Sequence, residues 1–272
     1  MNKLMPAIIA VMCSTATYAQ LVTGTVIDAK TNQALPFVNV GIVGKNSGTV
    51  TNDGGAFSLT LDRFHADSLR VSMLGYRPRS FLVADVVRNP NLLTIALIPD
   101  VLSLKEVKIT SHKQTGVVLG NTTTSQSLSA GFQEHLLGHE IGAVIKIKKS
   151  PARLKRFNAS IVNKMQNDSV KLRFNVYNVK AGMPDKNLLS TNIFVTVFKG
   201  DKAIIIDIEP YKIMVGGDFF VSLESVQSMV GNEIQLSASE FRRSPIITRG
   251  ASQSGWGNLE RIGVGFNVLV EY

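Results

Sequence analysis

Between residues 21 and 99, short runs of alternating residues recur about every ten positions, with turn-forming residues between them. The runs lie at 22–27, 37–43, 48–51, 56–61, 69–73 and 92–98. Alternation of period two puts one set of side chains on each face of a strand, and repetition at this spacing predicts an antiparallel sandwich. No stretch of this segment sustains a helical period, so the chain must bury its first core with sheets.

The turn Asn52-Asp53-Gly54-Gly55 sits between two of these runs. Asn, Asp and Gly supply the positive φ values that tight turns need, and the turn is expected only to reverse the chain. A phosphate loop requires Gly-Lys followed by Ser or Thr and a helix, whereas Gly44-Lys45 precedes Asn46 and another strand. A calcium loop requires acidic ligands at alternate positions, and Asp53 stands nearly alone.

Four motifs in order, Gly24-Thr-Val-Ile-Asp28, Leu35-Pro-Phe-Val-Asn-Val40, 48–57 (GTVTNDGGAF) and Ser72-Met-Leu-Gly-Tyr76, resemble the carboxypeptidase-regulatory-like domain. The resemblance implies a seven-stranded, transthyretin-like sandwich and a place in the bacterial envelope, where such domains open TonB-dependent nutrient receptors. It implies no reaction. Within it, Tyr76 at a strand end is expected to lid the core, since aromatics at such positions combine an apolar body with a polar tip. The string Leu104-Lys-Glu-Val-Lys-Ile-Thr110 is similar to the one that joins this domain to a receptor plug, but is expected here to be the last strand of the first sandwich. Residues 111–272 are too few for a plug and a large barrel, whose strands take about 9 to 11 residues each.

Residues 1–19 read as a secretory signal peptide, with Lys3, an apolar run over 4–12 and cleavage expected after Ala19. Cys13 is the only cysteine, so a chain cut there keeps none and needs an ordinary core rather than disulfides. Met12 is large where a lipoprotein signal wants a small residue, which argues against lipidation of Cys13. The protein is therefore expected to be exported, in the periplasm or associated with the outer membrane, with no transmembrane span. Net charge is +9, and residues 100–272 hold twenty-one basic residues against fifteen acidic ones. For an exported chain this excess points away from nucleic acid, towards an envelope protein, anionic polysaccharide or lipid head groups.

Residues 111–127 are rich in Thr, Ser and Gly and read as a linker. Beyond them a short helix is expected over 130–137, followed by strand-like runs at 141–147, 157–162, 170–177, 193–198, 203–208, 219–224 and 262–270. The expected fold class is thus all-β. An N-terminal sandwich (20–110) precedes a larger, jelly-roll-like C-terminal β-sandwich of seven to nine strands (128–272).

Catalytic patterns are scarce. His135 and His139 lie four apart, a spacing that puts two imidazoles on one helical face, yet the Glu of a zinc protease motif is missing after His135 and Gly138 interrupts. None of the four His is followed three residues later by the Glu of the carboxypeptidase ligand pair, and there is no Gly-x-Ser-x-Gly elbow. The reading is of a protein that is not an enzyme, with no metal and no cofactor: an interaction or structural module of the envelope. The alternative is a carbohydrate-binding protein using the C-terminal sandwich, with Trp256, the only Trp, in Gly255-Trp-Gly257 as its stacking ring. The candidate surface for an anionic partner is Lys146, Lys148, Lys149, Arg153, Lys155 and Arg156, a run without an acidic residue. Lys146 and Lys148 are expected on one face of a strand, with the turn at Ser150-Pro151 bringing the others beside them.

Overall fold

The computed structural model describes residues 20–61, 66–89, 93–100, 115–132, 136–162, 165, 168–229, 234–240 and 245–272. Their regular structure is almost entirely strand, in sheets packed sandwich-like around two main apolar clusters.

The first cluster is enclosed by β1 (Gln20–Asp28), β2 (Asn39–Ile42), β3 (Gly48–Val50), β4 (Ala56–Leu61), β5 (Ser68–Ser72), β6 (Arg79–Leu82) and β7 (Leu93–Leu97). One sheet runs β4-β1-β7 and the other β3-β2-β5-β6. Alternation decides which side chains face inward: Phe57, Leu59 and Leu61 on β4, Leu69 and Val71 on β5, Val22 and Val26 on β1. The sandwich is not wholly antiparallel, because β1 and β7 pair in parallel. A one-and-a-half-turn helix, α1 (Val83–Arg88), joins the two sheets. It buries only Val83 and Val86, three apart, which is too little to register as a helical period. β6 is an exposed edge strand and so lacks an apolar alternation.

The Asn52 turn reverses the chain and also moves it between sheets, since β3 and β4 belong to different ones. The Asn52 side-chain oxygen accepts the N–H groups of Gly54 and Ala56, both at 3.0 Å, while Gly55 takes φ +72°. Tyr76 packs against the first core and its hydroxyl donates to Asp28 at 2.9 Å.

The second cluster lies among β8 (Gly116–Gly120), β9 (Ser129–Gly131), β10 (Glu140–Ile145), β11 (Ala152–Ser160), β12 (Ser169–Lys180), β13 (Met183–Asn187) and β14 (Ile193–Phe198). The chain continues through β15 (Ala203–Asp207), β16 (Met214–Val215), β17 (Phe219–Ser225), β18 (Gln235–Glu240) and β19 (Ile246–Arg249). It ends in β20 (Gly257–Leu259), β21 (Ile262–Val264) and β22 (Phe266–Glu271). A seven-stranded sheet ordered β13-β12-β17-β10-β19-β20, with β14 also on β12, faces a five-stranded one ordered β15-β11-β22-β8, with β16 on β11. Phe157, Phe174 and Phe266 meet between them, with ring centroids 4.9 Å apart in both contacts.

This second half departs from expectation in three places. Residues 116–120, read as linker, are β8, paired along β22 with only Leu119 buried. Residues 129–131, expected in a helix, are β9, and 136–138 form a turn. Many strands are only two to five residues long, too short to carry a readable alternation, so there are more than the seven to nine expected. The string at 104–110 lies outside the described residues, as does the signal sequence.

Candidate functional site

The seven-stranded sheet has two buried faces. On β12, Leu172, Phe174 and Val176 enter the core, so Arg173, Asn175 and Tyr177 must point the other way, and they too are buried. β17 repeats this with Phe219, Val221 and Leu223 inward and Phe220, Ser222 and Glu224 on the reverse. Phe37 and Asn39 of the first sandwich cover the Arg173 end of that reverse face, and Trp256 closes over Tyr177 and Phe220.

Strand register then aligns four charges in one row. Arg249 of β19 pairs with Glu140 of β10, Glu140 with Glu224 of β17, and Glu224 with Arg173 of β12. The order is cation, anion, anion, cation. Arg173 grips Glu224 with two bonds, Nε to Oε2 at 2.9 Å and Nη2 to Oε1 at 2.8 Å. Arg249 Nη2 lies 2.6 Å from Glu140 Oε2. Asn175 donates to both carboxylates, at 3.1 Å to Glu140 and 3.0 Å to Glu224, and the Ser222 hydroxyl donates to Glu140. Side by side, two buried carboxylates would repel strongly; the flanking guanidiniums and shared donors are what make the row tenable.

The two acids end up unlike. Burial pushes Glu140 above the usual carboxylate range, opposed by the Arg249 charge and reinforced by Glu224. Burial also acts upward on Glu224, but the Arg173 charge and its hydrogen bonds outweigh it, and Glu224 lies below the usual range. Tyr177, whose hydroxyl is 3.4 Å from Glu140, is raised well above its ordinary value by burial and by the Glu140 charge.

Arg173 also crosses between the sandwiches. Its Nη1 donates to the Phe37 carbonyl at 2.8 Å and its Nη2 to the Asn39 side-chain oxygen at 2.6 Å. Phe37 adopts φ +59°, a left-handed conformation costly for a bulky residue, so its surroundings must hold it there. They do so through the Arg173 bond and an apolar seat: Phe37 clusters with Val50 and Val226, and its ring centroid is 5.0 Å from that of Phe194. Nearby the loop after β19 docks on the β2–β3 hairpin. Ser252 donates to Asn39 at 3.1 Å, and Gln253 donates to Ser72 at 2.9 Å. A Cβ at Gly41 or Gly48 would come within 2.1 or 2.2 Å of the Ser252 carbonyl oxygen, so both must be glycine for this approach.

A cavity of about 320 Å³ remains along the junction. From the first sandwich Arg70, Ser72, Leu74 and Tyr76 line it; from the second, Asn175, Asn187, Asn192 and Arg249.

The residues singled out from sequence fall elsewhere or take other roles. Lys146 and Lys148 are exposed but lie beyond the end of β10, not on a strand, because the chain turns at 148–151. Lys149 and Arg156 are exposed as well. Arg153 and Lys155 are not free: Glu209 is 3.9 Å from Arg153 and bonds Lys155, and Glu271 is 3.1 Å from Lys155. A bulge between Leu154 and Arg156 turns Lys155 and Arg156 outward together. Trp256 is half-buried, its edges against Tyr177 and Phe220 at 5.8 and 5.3 Å and the Arg249 guanidinium 4.9 Å over its ring. His135 lies outside the described residues. His139 is buried beside the charged row, and Thr248 Oγ1, 3.2 Å from its Nε2, already donates to the Glu140 carbonyl. The imidazole must therefore donate from Nε2, leaving Nδ1 without a partner, and burial lowers its pKa. Among the described residues no group of three or more His, Cys, Asp or Glu is placed to hold a metal ion.

Sequence reasoning missed the charged row entirely. Its members are 140, 173, 224 and 249; 173 and 224 read as polar positions of strands with one wet face, and 140 and 249 fell outside the strand-like runs. One sign was present: Phe220 and Tyr177 alternate in phase with Glu224 and Arg173, and aromatics of that size on the polar face indicate that something covers it.

The family described as CarboxypepD_reg-like domain matches residues 22–109. The first sandwich is thus similar to a carboxypeptidase-regulatory-like domain, and the fold of the described residues is all-β. No curated protein matches the chain. A solved structure titled "Structure of infectious bursal disease virus Gx strain" is similar over 92% of this chain, at 10% identity and a TM-score of 0.22. The chain spans 61% of that one's length, and a likeness this slight does not bear on the fold.

Proposed function

We propose that this chain is a non-catalytic interaction module of the bacterial cell envelope, in which a regulatory-like sandwich is locked to a larger one and the pair presents an outer basic rim to an anionic partner. The observation that carries this reading is the use made of charge. The buried cluster of ionisable groups at the junction is closed on itself, Arg173 on Glu224 and Arg249 on Glu140, as a clamp is and a reacting centre is not. The exposed Lys146, Lys148 and Lys149 lie apart from it, in the segment that follows β10, and Arg156 is exposed on β11.

The signal-like residues 1–19 support export, and no helix among the described residues is long and apolar enough to cross a membrane. The rim suits lipid head groups or acidic envelope polysaccharide, which such a basic surface attracts in a salt-dependent way. Co-sedimentation of the full chain with anionic vesicles and with acidic polysaccharide at low and high salt tests the reading. Binding that is lost in Lys148→Glu/Lys149→Glu supports it; no binding of wild type at low salt overturns it.

A further inference from the structure

We propose that β14 is a self-association edge, at which a second copy of this chain adds its own β14 antiparallel and joins the two seven-stranded sheets into one. This goes beyond the interaction module and does not involve the basic rim.

The strand is open on one side. Among the described residues β14 pairs with β12 alone. Its sequence, Ile193-Phe-Val-Thr-Val-Phe198, contains no charge and no proline, the devices by which sheet edges ordinarily discourage pairing. β13, which flanks the same side of β12, has them in Pro184, Asp185 and Lys186. Ile193 and Val197 are buried in the second core, whereas Phe194, Thr196 and Phe198 are exposed, the last at 57%.

Backbone direction shows which groups of the edge face outward. The Lys171 N–H donates to the Gln227 side chain just beyond β17, and the Val176 carbonyl accepts from Leu188 just beyond β13. Odd residues of β12 therefore bond towards β17 and even ones towards β14. Thr196 lies opposite Lys171, so its N–H and C=O point out of the sheet. Those of Phe194 and Phe198 point the same way, and at Phe198 Asp201 shows it: the Asp201 carboxylate accepts the Phe198 N–H at 2.8 Å, and its own N–H donates to the Phe198 carbonyl at 3.0 Å. That carbonyl keeps a second lone pair for another donor.

A second copy is selected by the palindrome Phe194-Val-Thr-Val-Phe198. Antiparallel pairing about Thr196 sets Thr196 against its own counterpart, Phe194 against Phe198 of the other copy, and Val195 against Val197. Like meets like on both faces, phenylalanines outside and valines on the core side, and a slip of one residue would destroy the match. The two Thr196 residues exchange both backbone bonds, and each Phe194 N–H reaches the other copy's Phe198 carbonyl. Such an arrangement has a two-fold axis and closes on itself. An interface confined to one short strand is small, so the dimer is expected to depend on concentration rather than to be permanent.

Sedimentation of the full chain over a range of concentrations tests the proposal, and wild type should pass from monomer to dimer as concentration rises. Thr196→Lys sets two like charges directly opposite each other and should weaken the dimer about tenfold, as should Thr196→Glu, while a mixture of the two variants should recover it because the facing charges are then of opposite sign. Thr196 is exposed, so neither change threatens the fold. Leu259→Lys adds the same charge at an exposed position on β20, the far edge of the sheet, and should leave the dimer unchanged. A monomer at every concentration, even one whose β14 accepts an extended segment of another protein, overturns the proposal. So does a dimer indifferent to Thr196→Lys, or a mixture that associates no better than its components. None of these outcomes touches the vesicle experiment on the rim.

Discussion

Two charged regions of this protein invert what their sequences advertise. The run at 146–156 concentrates six basic residues in eleven positions, yet the fold leaves four of them exposed and matches the other two with Glu209 and Glu271. The row of Arg249, Glu140, Glu224 and Arg173 is dispersed over more than a hundred residues of chain, yet register makes it one buried object that also reaches Phe37 and Asn39. The lesson is that local charge density follows sequence while energetic weight follows burial. An exposed cation is screened and worth little, whereas a buried one left unpaired is worth several kcal/mol.

The sharpest way to break this comparison is to remove a cation from each region. Arg173→Ala leaves Glu224 buried without its counter-charge and frees the Phe37 carbonyl; a loss of about 3–5 kcal/mol in urea unfolding is expected. Arg173→Met combined with Glu224→Leu removes both charges at once and should cost less than the single change, which a double-mutant cycle would read directly.

Next in size is the contact that brings the sandwiches together. Gly48→Ala sets a Cβ against the Ser252 carbonyl and should cost about 1–3 kcal/mol through overpacking. Ala at Gly216, where nothing lies within 4 Å of the added carbon, is the control and should change stability little.

A smaller effect follows pH. His139 has a folded pKa below its ordinary 6.5, so the unfolded chain takes up a proton more readily. Its contribution is fully present above 6.5 and is lost as pH falls from there through the folded value. Glu224, held low, adds a second loss below about 4.5. Glu140, held high, acts in the opposite sense and costs stability as pH rises from 4.5 through its folded value. Because His139 and Glu140 act oppositely between pH 7.5 and 5, the reading is a difference: on going from pH 7.5 to 5 the unfolding midpoint of wild type should drop relative to that of His139→Gln.

Smallest of all is the rim. Lys148→Glu/Lys149→Glu should alter stability by less than about 0.5 kcal/mol, although it is predicted to abolish the salt-sensitive binding.

How much of this could be read beforehand depends on whether a signal was local. β4 and β5 announce themselves because Phe57, Leu59, Leu61, Leu69 and Val71 alternate with polar residues over a half-wet strand. β6, exposed on nearly every residue, has no such pattern, and α1 buries two valines only. The run at 262–270 was visible, but not its break at Gly265, where a Cβ would meet the Thr123 and Ser237 carbonyl oxygens. The candidate site was the least legible part. Whether the polar face of β12 meets water or another sandwich depends on packing between segments a hundred residues apart, and Arg173 looks the same in either case.

The central claim is that the buried row makes two sandwiches unfold as one. Urea unfolding can be followed at once by the fluorescence of Trp256, which sits in the second sandwich, and by hydrogen exchange of amides in β1 and β4 of the first. The two probes should report a single coincident transition in wild type and separate transitions in Arg173→Ala. Separate transitions in wild type, or an unchanged coincident one in Arg173→Ala, would contradict the account.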